Sequence, residues 1–434
     1  MSDASRGRVA GLDFGTTNTV AAIGGAGAPR LIAFGPAGGD AEGGDPVFRS
    51  ALCFWQDEAV VGGLGVEAGP AAIAEYLEYP EDSRFLQSFK SVAASASFDT
   101  ASVFDRRYRF EELGRLFLDR LANHSAGALA GLDRLVVGRP VEYAGARPDP
   151  ALARSRYDSM FAGFAGEVHY VYEPLAAAFG HAADATRPAT LLVADFGGGT
   201  SDFSVVRIDP GAGRRCVPLG HAGIGLAGDR IDQRIVDRLV LPLLGQGGLY
   251  RSFDKVLEIP RSYFADFADW SRLALMRNRR TLAELDRLRR SAVEPQAIAR
   301  MIAVIEGELG FALYDAVGRL KRALSGDEEA TFAFSGGGLD IEMRVTRAEF
   351  EGWIADDLAR IASTLDCALA AAGVAPEEVE SVFLTGGTSL VPAVRRIFAG
   401  RFGEERLVSG GELTSIAHGL ALIAGQDDLA PWLA

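Results

Sequence analysis

The chain has 434 residues, 48% hydrophobic and 24% charged, with a formal net charge of −14. That length is too great for one small domain and predicts two domains, or two lobes around a cleft. The acidity argues against general nucleic-acid binding, which needs a basic face. No run of about 18 apolar residues occurs, so no membrane span is expected.

The N-terminal "MSDASRGRVAGLDFG" has no long apolar core and so is not a signal peptide; the reading is a cytoplasmic protein. Short apolar, β-branched or aromatic runs predict strands at "RVAGLDFG", "TVAAIG", "ALCFWQ", "RLVVGRPV", "TLLVADFG", "FSVVRID" and "SVFLTGG". "GPAGGDAEGGDP" (35–46) reads as a flexible loop. Helical spacing covers 110–130, 229–244, 297–325 and 346–373. Thr346 with Glu349 forms a capping box for the last of these, and Gly373 is its stop signal. The interval 251–300, rich in Arg, Leu and Ala, reads as a mainly helical inserted arm with a basic face. Cys53, Cys216 and Cys367 are far apart and form neither a zinc motif nor a disulfide framework. They read as buried small residues in a reducing compartment.

One local pattern occurs twice. "VAGLDFGTTNTVAAIG" (9–24) and "LVADFGGGTSDFSVV" (192–206) each run an apolar strand into Asp-Phe-Gly, then small residues and threonines, then a second strand. A tight turn of this composition bares successive backbone N–H groups, which with threonine hydroxyls make an anion cradle. Glycine is needed because a Cβ would block close approach of phosphate to the backbone. The aspartate at each strand end, Asp13 or Asp195, suits Mg²⁺ held mostly through its waters, because Mg²⁺ dehydrates reluctantly. Two such turns on opposing lobes could grip the β- and γ-phosphates of a nucleotide.

A third glycine turn, "SVFLTGGTSLVPAVRRIF" (381–398), ends a strand at Gly386-Gly387 and starts a helix near Pro392. It would let backbone lie against a base or phosphate. The protein-kinase reading of Asp-Phe-Gly fails, since no Gly-rich loop, VAIK or HRD segment accompanies it. No Walker A motif is present either.

Taken in order, "LDFGTTNT", "YEPLAAAFGH", "VADFGGGTSD" and "LTGGTSLVP" resemble the actin-like ATPase superfamily. Within it the chain is most similar to the nucleotide-binding domain of the heat shock protein 70 (DnaK) chaperones, and to short bacterial DnaK-like proteins, over roughly residues 8–425. The resemblance implies an α/β, two-lobed actin-like ATPase with a duplicated ribonuclease H-like fold and a nucleotide cleft. Lobe I would be 1–188 plus 412–434. Lobe II would be 189–411, with a helical insertion at about 229–345.

The resemblance also implies roles. Gly15, Thr16, Thr17 and Asn18 form the first phosphate clamp, and Gly197, Gly198, Gly199 and Thr200 the second. Asp13, Asp195 and Glu173 hold Mg²⁺, mainly through water. Lys90, in "RFLQSFKSV", places the attacking water and steadies charge on the γ-phosphate; Asp195 and Thr200 orient that water. Lys321, Arg322 and Ser325, in "LKRALSG", contact the adenosine, as do Gly386, Gly387 and Thr388. Gly228 lies near phosphate or ribose. The implied cofactors are ATP/ADP and Mg²⁺.

Two departures weaken the adenosine site. The family's glutamate three residues before Lys321 is Gly318, and its arginine after "GGxx" is Leu390. Weaker nucleotide affinity is expected. Neither the family's peptide-binding domain nor an interdomain linker after Ala424 is expected from this sequence. The expected function is a low-turnover ATPase and nucleotide-driven switch. Its partners are nucleotide, with room for protein clients or co-chaperones, and neither nucleic acid nor membrane. The alternatives are an actin-like filament protein, a small-molecule kinase on the same fold, and a non-hydrolysing nucleotide switch.

Overall fold

The computed structural model describes residues 7–25, 28–39, 44–80, 82–145, 147–182, 185–210, 216–269, 272–273, 276–408 and 414–433. Part of the 35–46 loop, residues 40–43, lies outside the described residues. The architecture is mixed α/β and two-lobed, and its two principal sheets repeat one plan. In the first, Val9–Phe14 turns back antiparallel through Asn18–Gly24 and lies parallel to Arg134–Arg139, which lies parallel to Glu167–Tyr172. In the second, Ala189–Phe196 turns back antiparallel through Ser201–Ile208 and lies parallel to Ser381–Thr385. Cys216–Ile224 and Leu407–Val408 complete its two sides.

The strands that carry Asp13 and Asp195 sit inside their sheets, with partners on both sides. Their runs are therefore almost wholly apolar, as doubly covered strands require. Leu12, Phe14, Ala194 and Phe196 are all buried. The last residue pairs of the two hairpins are Phe14↔Thr19 and Phe196↔Ser201. Each hairpin thus closes on a four-residue loop, Gly15–Asn18 or Gly197–Thr200.

Two helices, Glu173–Ala182 and Ser415–Ala424, pack on each other between the sheets. Their apolar residues Leu175, Ala176, Leu420 and Ile423 share a core with Val136 and Val171 of the first sheet and Leu191 and Val193 of the second. The crossing is close. A Cβ on Gly419 would stand 1.7 Å from the carbonyl oxygen of Ala176, so only glycine fits there.

Several expected elements differ in outline. The helical run 297–325 is two helices, Pro295–Glu306 and Gly310–Gly326, broken where Glu308 adopts φ +50°. The run 346–373 is likewise two helices, Arg347–Trp353 and Ala355–Ala372, with the Thr346–Glu349 capping box and left-handed Gly373 cap both in place. The run 229–244 leaves the α-helix after Leu239 and passes to a 3-10 turn containing Pro242.

The interval 251–300 is not purely helical. It begins in a hairpin of Leu249–Ser252 and Lys255–Glu258 before the helices Arg261–Phe267 and Arg279–Ser291. A second hairpin, Glu329–Gly336 with Leu339–Thr346, falls within the expected insertion 229–345. Alternating strands of this kind satisfy their ladder locally, and periodicity over a mixed window hides them. Cys53 and Cys216 are buried as expected, but Cys367 is exposed on the outer face of the helix Ala355–Ala372.

The strand Ser83–Gln87 also meets the chain around Glu308. Arg84, on the strand Ser83–Gln87, donates to Oε1 of Glu308 at 2.9 Å, and Arg277 meets the same oxygen at 2.7 Å. The Arg84 and Glu308 side chains are both buried. Phe85 and Tyr76 of the first lobe pack on Phe311 of the second, and the Tyr76 hydroxyl donates to the Glu308 carbonyl. No helix among the described residues is long and apolar enough to cross a membrane.

Candidate nucleotide and metal site

The two hairpin loops face one another. A Cβ on Gly198 would lie 2.7 Å from Oγ1 of Thr17, and one on Gly199 would lie 3.6 Å from Oγ1 of Thr16. Each loop is held in shape by its own backbone. The Gly197 N–H donates to the Thr200 carbonyl at 2.9 Å, and at Gly15 a Cβ would come within 2.2 Å of the Asn18 carbonyl. Ser50 braces the first loop. Its N–H donates to the Thr17 carbonyl at 3.0 Å, and its hydroxyl donates to the Gly15 carbonyl at 2.7 Å.

At the root of the loops one ammonium stands among carboxylates. Lys90 Nζ donates to Oε1 of Glu173 at 2.8 Å, with both side chains buried. Lys90 sits on a short 3-10 turn, Phe89–Val92, entered through Ser88 at φ +55°. A non-glycine residue there is strained by about 1 kcal/mol or more. Glu173 is the first residue of its helix, where the dipole favours a carboxylate and Pro174 needs no N–H partner. Burial alone would push the Lys90 ammonium down, but the charges of Glu173 and Asp13 outweigh it and hold the group firmly protonated.

Asp13 and Asp195 are both pushed well above the usual carboxylate range. Removal from water is the main cause for each, and the charge of Glu173 the next; Lys90 opposes the shift at both. Hydrogen bonding from the Thr385 hydroxyl also steadies the ionised form of Asp195.

Asp202 joins them. It is fully buried and pairs directly opposite Asp195 across the hairpin. Its Oδ1 accepts from the N–H groups of Val141 and Glu142 at 2.8 and 3.1 Å, and its Oδ2 has no hydrogen-bond partner. Burial, then Glu173, pushes its carboxyl up to about 7. Sequence reasoning passed over Asp202, although the hairpin pairing that places it beside Asp195 is implicit in the spacing of "DFGGGTSD".

Asp13, Asp195 and Asp202 all feel the negative charge of Glu173, an excess that a divalent cation would relieve. The unpartnered Oδ2 of Asp202 points to the same need. Among the described residues no three His, Cys, Asp or Glu side chains converge closely enough to ligate an ion directly. A hydrated Mg²⁺, reached through water, would suit such a set.

The adenosine-side residues are partly gathered. A Cβ on Gly228 would meet Thr388 Oγ1 at 3.1 Å, the Gly197 carbonyl at 3.5 Å and Lys321 Nζ at 3.7 Å, so all four residues share one corner of the cleft. Lys321 Nζ pairs with Asp232 at 2.6 Å. Gly386, at φ +83°, lies so near the strand carrying Asp195 that a Cβ would stand 2.0 Å from the Phe196 carbonyl. Gly387 faces open space, and Leu390 is 62% exposed. Arg322 lies over Gly318, whose Cβ would be 3.3 Å from Nη1, so the missing glutamate leaves room that the arginine fills. The Ser325 hydroxyl bonds the Lys321 carbonyl of its own helix at 3.0 Å and is turned inward on the backbone.

Comparison with known proteins agrees with this geometry. The Hsp70 protein family matches residues 310–426, the helix carrying Lys321, the third glycine turn and the closing helix. Chaperone protein DnaK of Trichormus variabilis is 26% identical over 433 residues, covering 96% of this chain and 54% of that protein. Chaperone protein DnaK of Thermotoga maritima is 26% identical over 421 residues, covering 96% of this chain and 59% of the relative. The same-named protein of Cenarchaeum symbiosum is 24% identical over 422 residues, again across 96% of this chain.

Residues 310–426 thus resemble the Hsp70 family, and the chain as a whole is similar to DnaK chaperones. It spans somewhat more than half the length of the curated relatives it matches. In this chain the two loops face one another, and Gly386 of the glycine turn lies against the strand carrying Asp195.

Proposed function

We propose that this chain binds Mg-ATP between its lobes and hydrolyses it slowly, acting as a DnaK-like nucleotide-driven switch. The supporting observation is the buried Lys90–Glu173 pair acting on Asp13 and Asp195, with Asp202 facing Asp195, beside two loops that face one another. In this reading the lobes divide as 1–188 plus 412–434 and 189–411.

Phosphoryl transfer to water asks little covalent chemistry of a protein; positioning and charge stabilisation carry it. The N–H groups and hydroxyls of Gly15–Asn18 and Gly197–Thr200 would cradle the phosphates. Asp13, Asp195, Asp202 and Glu173 would hold Mg²⁺ through its waters, and the ion would supply neutralising charge beside the phosphates. Asp195 and Thr200 would orient the attacking water. The Lys90 ammonium, kept protonated by Glu173, would meet charge growing on the γ-phosphate. Lys321, Arg322, Thr388 and the glycines at 228, 386 and 387 would seat the nucleoside. Closure around ATP and relaxation on ADP would be the output, since both sheets pack on the same two helices. Protein clients or co-chaperones, and a cytoplasmic setting, belong to the same proposal.

The test is single-turnover hydrolysis of Mg-ATP by the pure protein with no acceptor, beside Lys90→Ala. Slow phosphate release that collapses in the variant supports the water-using ATPase. ATP binding with no turnover in either protein sinks it in favour of a non-hydrolysing switch, or of a kinase awaiting its acceptor.

A further inference from the structure

Arg49 closes the short strand Val47–Arg49, paired Asn18↔Arg49 with the strand that leaves the first phosphate loop. Its neighbour Ser50 is tied to that loop by bonds to Thr17, Gly15 and Thr19. The backbone at Arg49 is thus fixed relative to the loop. Its Nη1 donates to Oδ1 of Asn18 at 3.1 Å. The side chain is half-buried, yet among the described residues no carboxylate lies within ion-pair distance of it.

The charges that act on it come from the opposite lobe. Asp229 attracts the guanidinium and Arg322 repels it. Asp229 itself borders the second loop, 3.1 Å from where a Cβ on Gly198 would stand, with Thr17 2.7 Å from the same point. Arg49 therefore lies where the first loop, the second loop and the adenosine-side helix meet.

The Arg49 and Arg322 guanidinium groups repel each other. A polyanion between them turns that repulsion into two attractions. Arginine suits the place, because its planar fork matches phosphate oxygens and it stays charged when desolvated.

We propose that Arg49 is a nucleotide-contacting residue: from the first lobe it grips the adenosine-proximal end of the phosphate chain, opposite Arg322. The proposal rests on the nucleotide reading above and adds to it a cation that none of the phosphate or adenosine motifs contains. It implies that Arg49 reads phosphate and not base, and that it helps draw the lobes together on a charged ligand.

The test measures dissociation constants of ADP, ATP and adenosine for the whole chain as wild type, Arg49→Gln, Arg49→Ala and Arg49→Lys. Arg49→Gln retains a donor for Asn18 and guards against misfolding, which melting temperatures check. The expected result is that Arg49→Gln and Arg49→Ala weaken ADP and ATP by about ten-fold or more and adenosine by less than about two-fold. Arg49→Lys should recover part of the loss. The dependence of ADP affinity on salt should become shallower without the charge. ADP binding unchanged in Arg49→Gln overturns the proposal and leaves the nucleotide reading standing. Equal losses for ADP and adenosine overturn it too, since they mark a residue that only shapes the loop. A wild-type chain that binds none of the three ligands removes the nucleotide reading and this proposal together.

Discussion

Lys90 and Glu173 form a buried ion pair, 2.8 Å from Nζ to Oε1, that joins a turn after the strand Ser83–Gln87 to the first residue of an interlobe helix. Asp13 and Asp195 feel both charges of the pair and Asp202 that of Glu173, so Lys90 offsets negative charge at this site. Removing one partner of a buried pair typically destabilises a protein by about 3–5 kcal/mol. Lys90→Ala should lower the nucleotide-free melting temperature by several degrees. Lys90→Ala with Glu173→Gln should recover part of that loss, because one orphaned carboxylate is gone. A Lys90→Ala protein as stable as wild type would show that the ammonium does not neutralise the cluster.

At the cleft mouth, Arg84 and Arg277 share one oxygen of Glu308 while Tyr76, Phe85 and Phe311 pack beside them. On the proposed closure around nucleotide, these contacts must part when the lobes open. Glu308→Gln and Phe311→Ala should therefore release a fluorescent ADP analogue faster, by roughly ten-fold, as a loss of about 1.4 kcal/mol would give. Stopped-flow dissociation measures it. Combining Glu308→Gln with Arg84→Gln should add little beyond Glu308→Gln alone, because that change already weakens the Arg84 and Arg277 contacts together. Release rates that do not move would mean the contact is peripheral to opening.

The same Glu308 shows what the sequence could not display. "AIARMIAVIEGELGFALYDAVGRLKRALS" has helical spacing throughout, yet the chain breaks at 307–309 so that Glu308 can reach the other lobe. A partner more than 200 positions away overrides local propensity, and no window on one segment contains it. The doubled hairpin was legible because its chemistry is local: Asp, Gly and Thr in fixed order dictate a tight loop wherever they stand. Arg49 and Asp202 escaped for opposite reasons. Arg49 precedes a plain strand, and only the sheet brings it to Asn18. Asp202 was in plain view within the second motif, but its burial and its pairing opposite Asp195 depend on strand register. Lys90, resting on a short motif in the sequence, is placed by a strained 3-10 turn that periodicity does not reveal.

The carboxyl cluster also sets a pH dependence. Asp202 is pushed from 3.8 up to about 7, mainly by burial and then by Glu173. The folded state then holds its proton across a range in which the unfolded chain has lost it. Stability of the nucleotide-free protein should fall as pH rises from about 4 to about 7 and stay at the lower level above that. The full displacement corresponds to roughly 4 kcal/mol. Asp13 and Asp195, also raised, act in the same direction. Denaturant unfolding from pH 5 to 8 should show this decline, with a shallower slope in Asp202→Asn. A profile that rises with pH in the wild type, or one that Asp202→Asn leaves unchanged, would contradict the assignment.

Gly198 tests the closeness of the two loops. A methyl group there would stand 2.7 Å from Thr17 Oγ1 and 3.1 Å from Asp229 Oδ1. Both atoms end short side chains that can rotate, so Gly198→Ala should fold and change stability by no more than about 1 kcal/mol. The methyl would nonetheless occupy the space through which phosphate approaches the backbone N–H groups. ADP and ATP affinity should fall by about ten-fold or more, while adenosine, which carries no phosphate to rest on the loop, should bind nearly as before. Titration of the three ligands against Gly198→Ala, beside its melting curve, separates the outcomes. Unchanged ADP binding in a well-folded variant would mean that phosphate does not rest on the second loop. A parallel loss of adenosine would mean that the methyl holds the lobes apart and does not merely block the cradle.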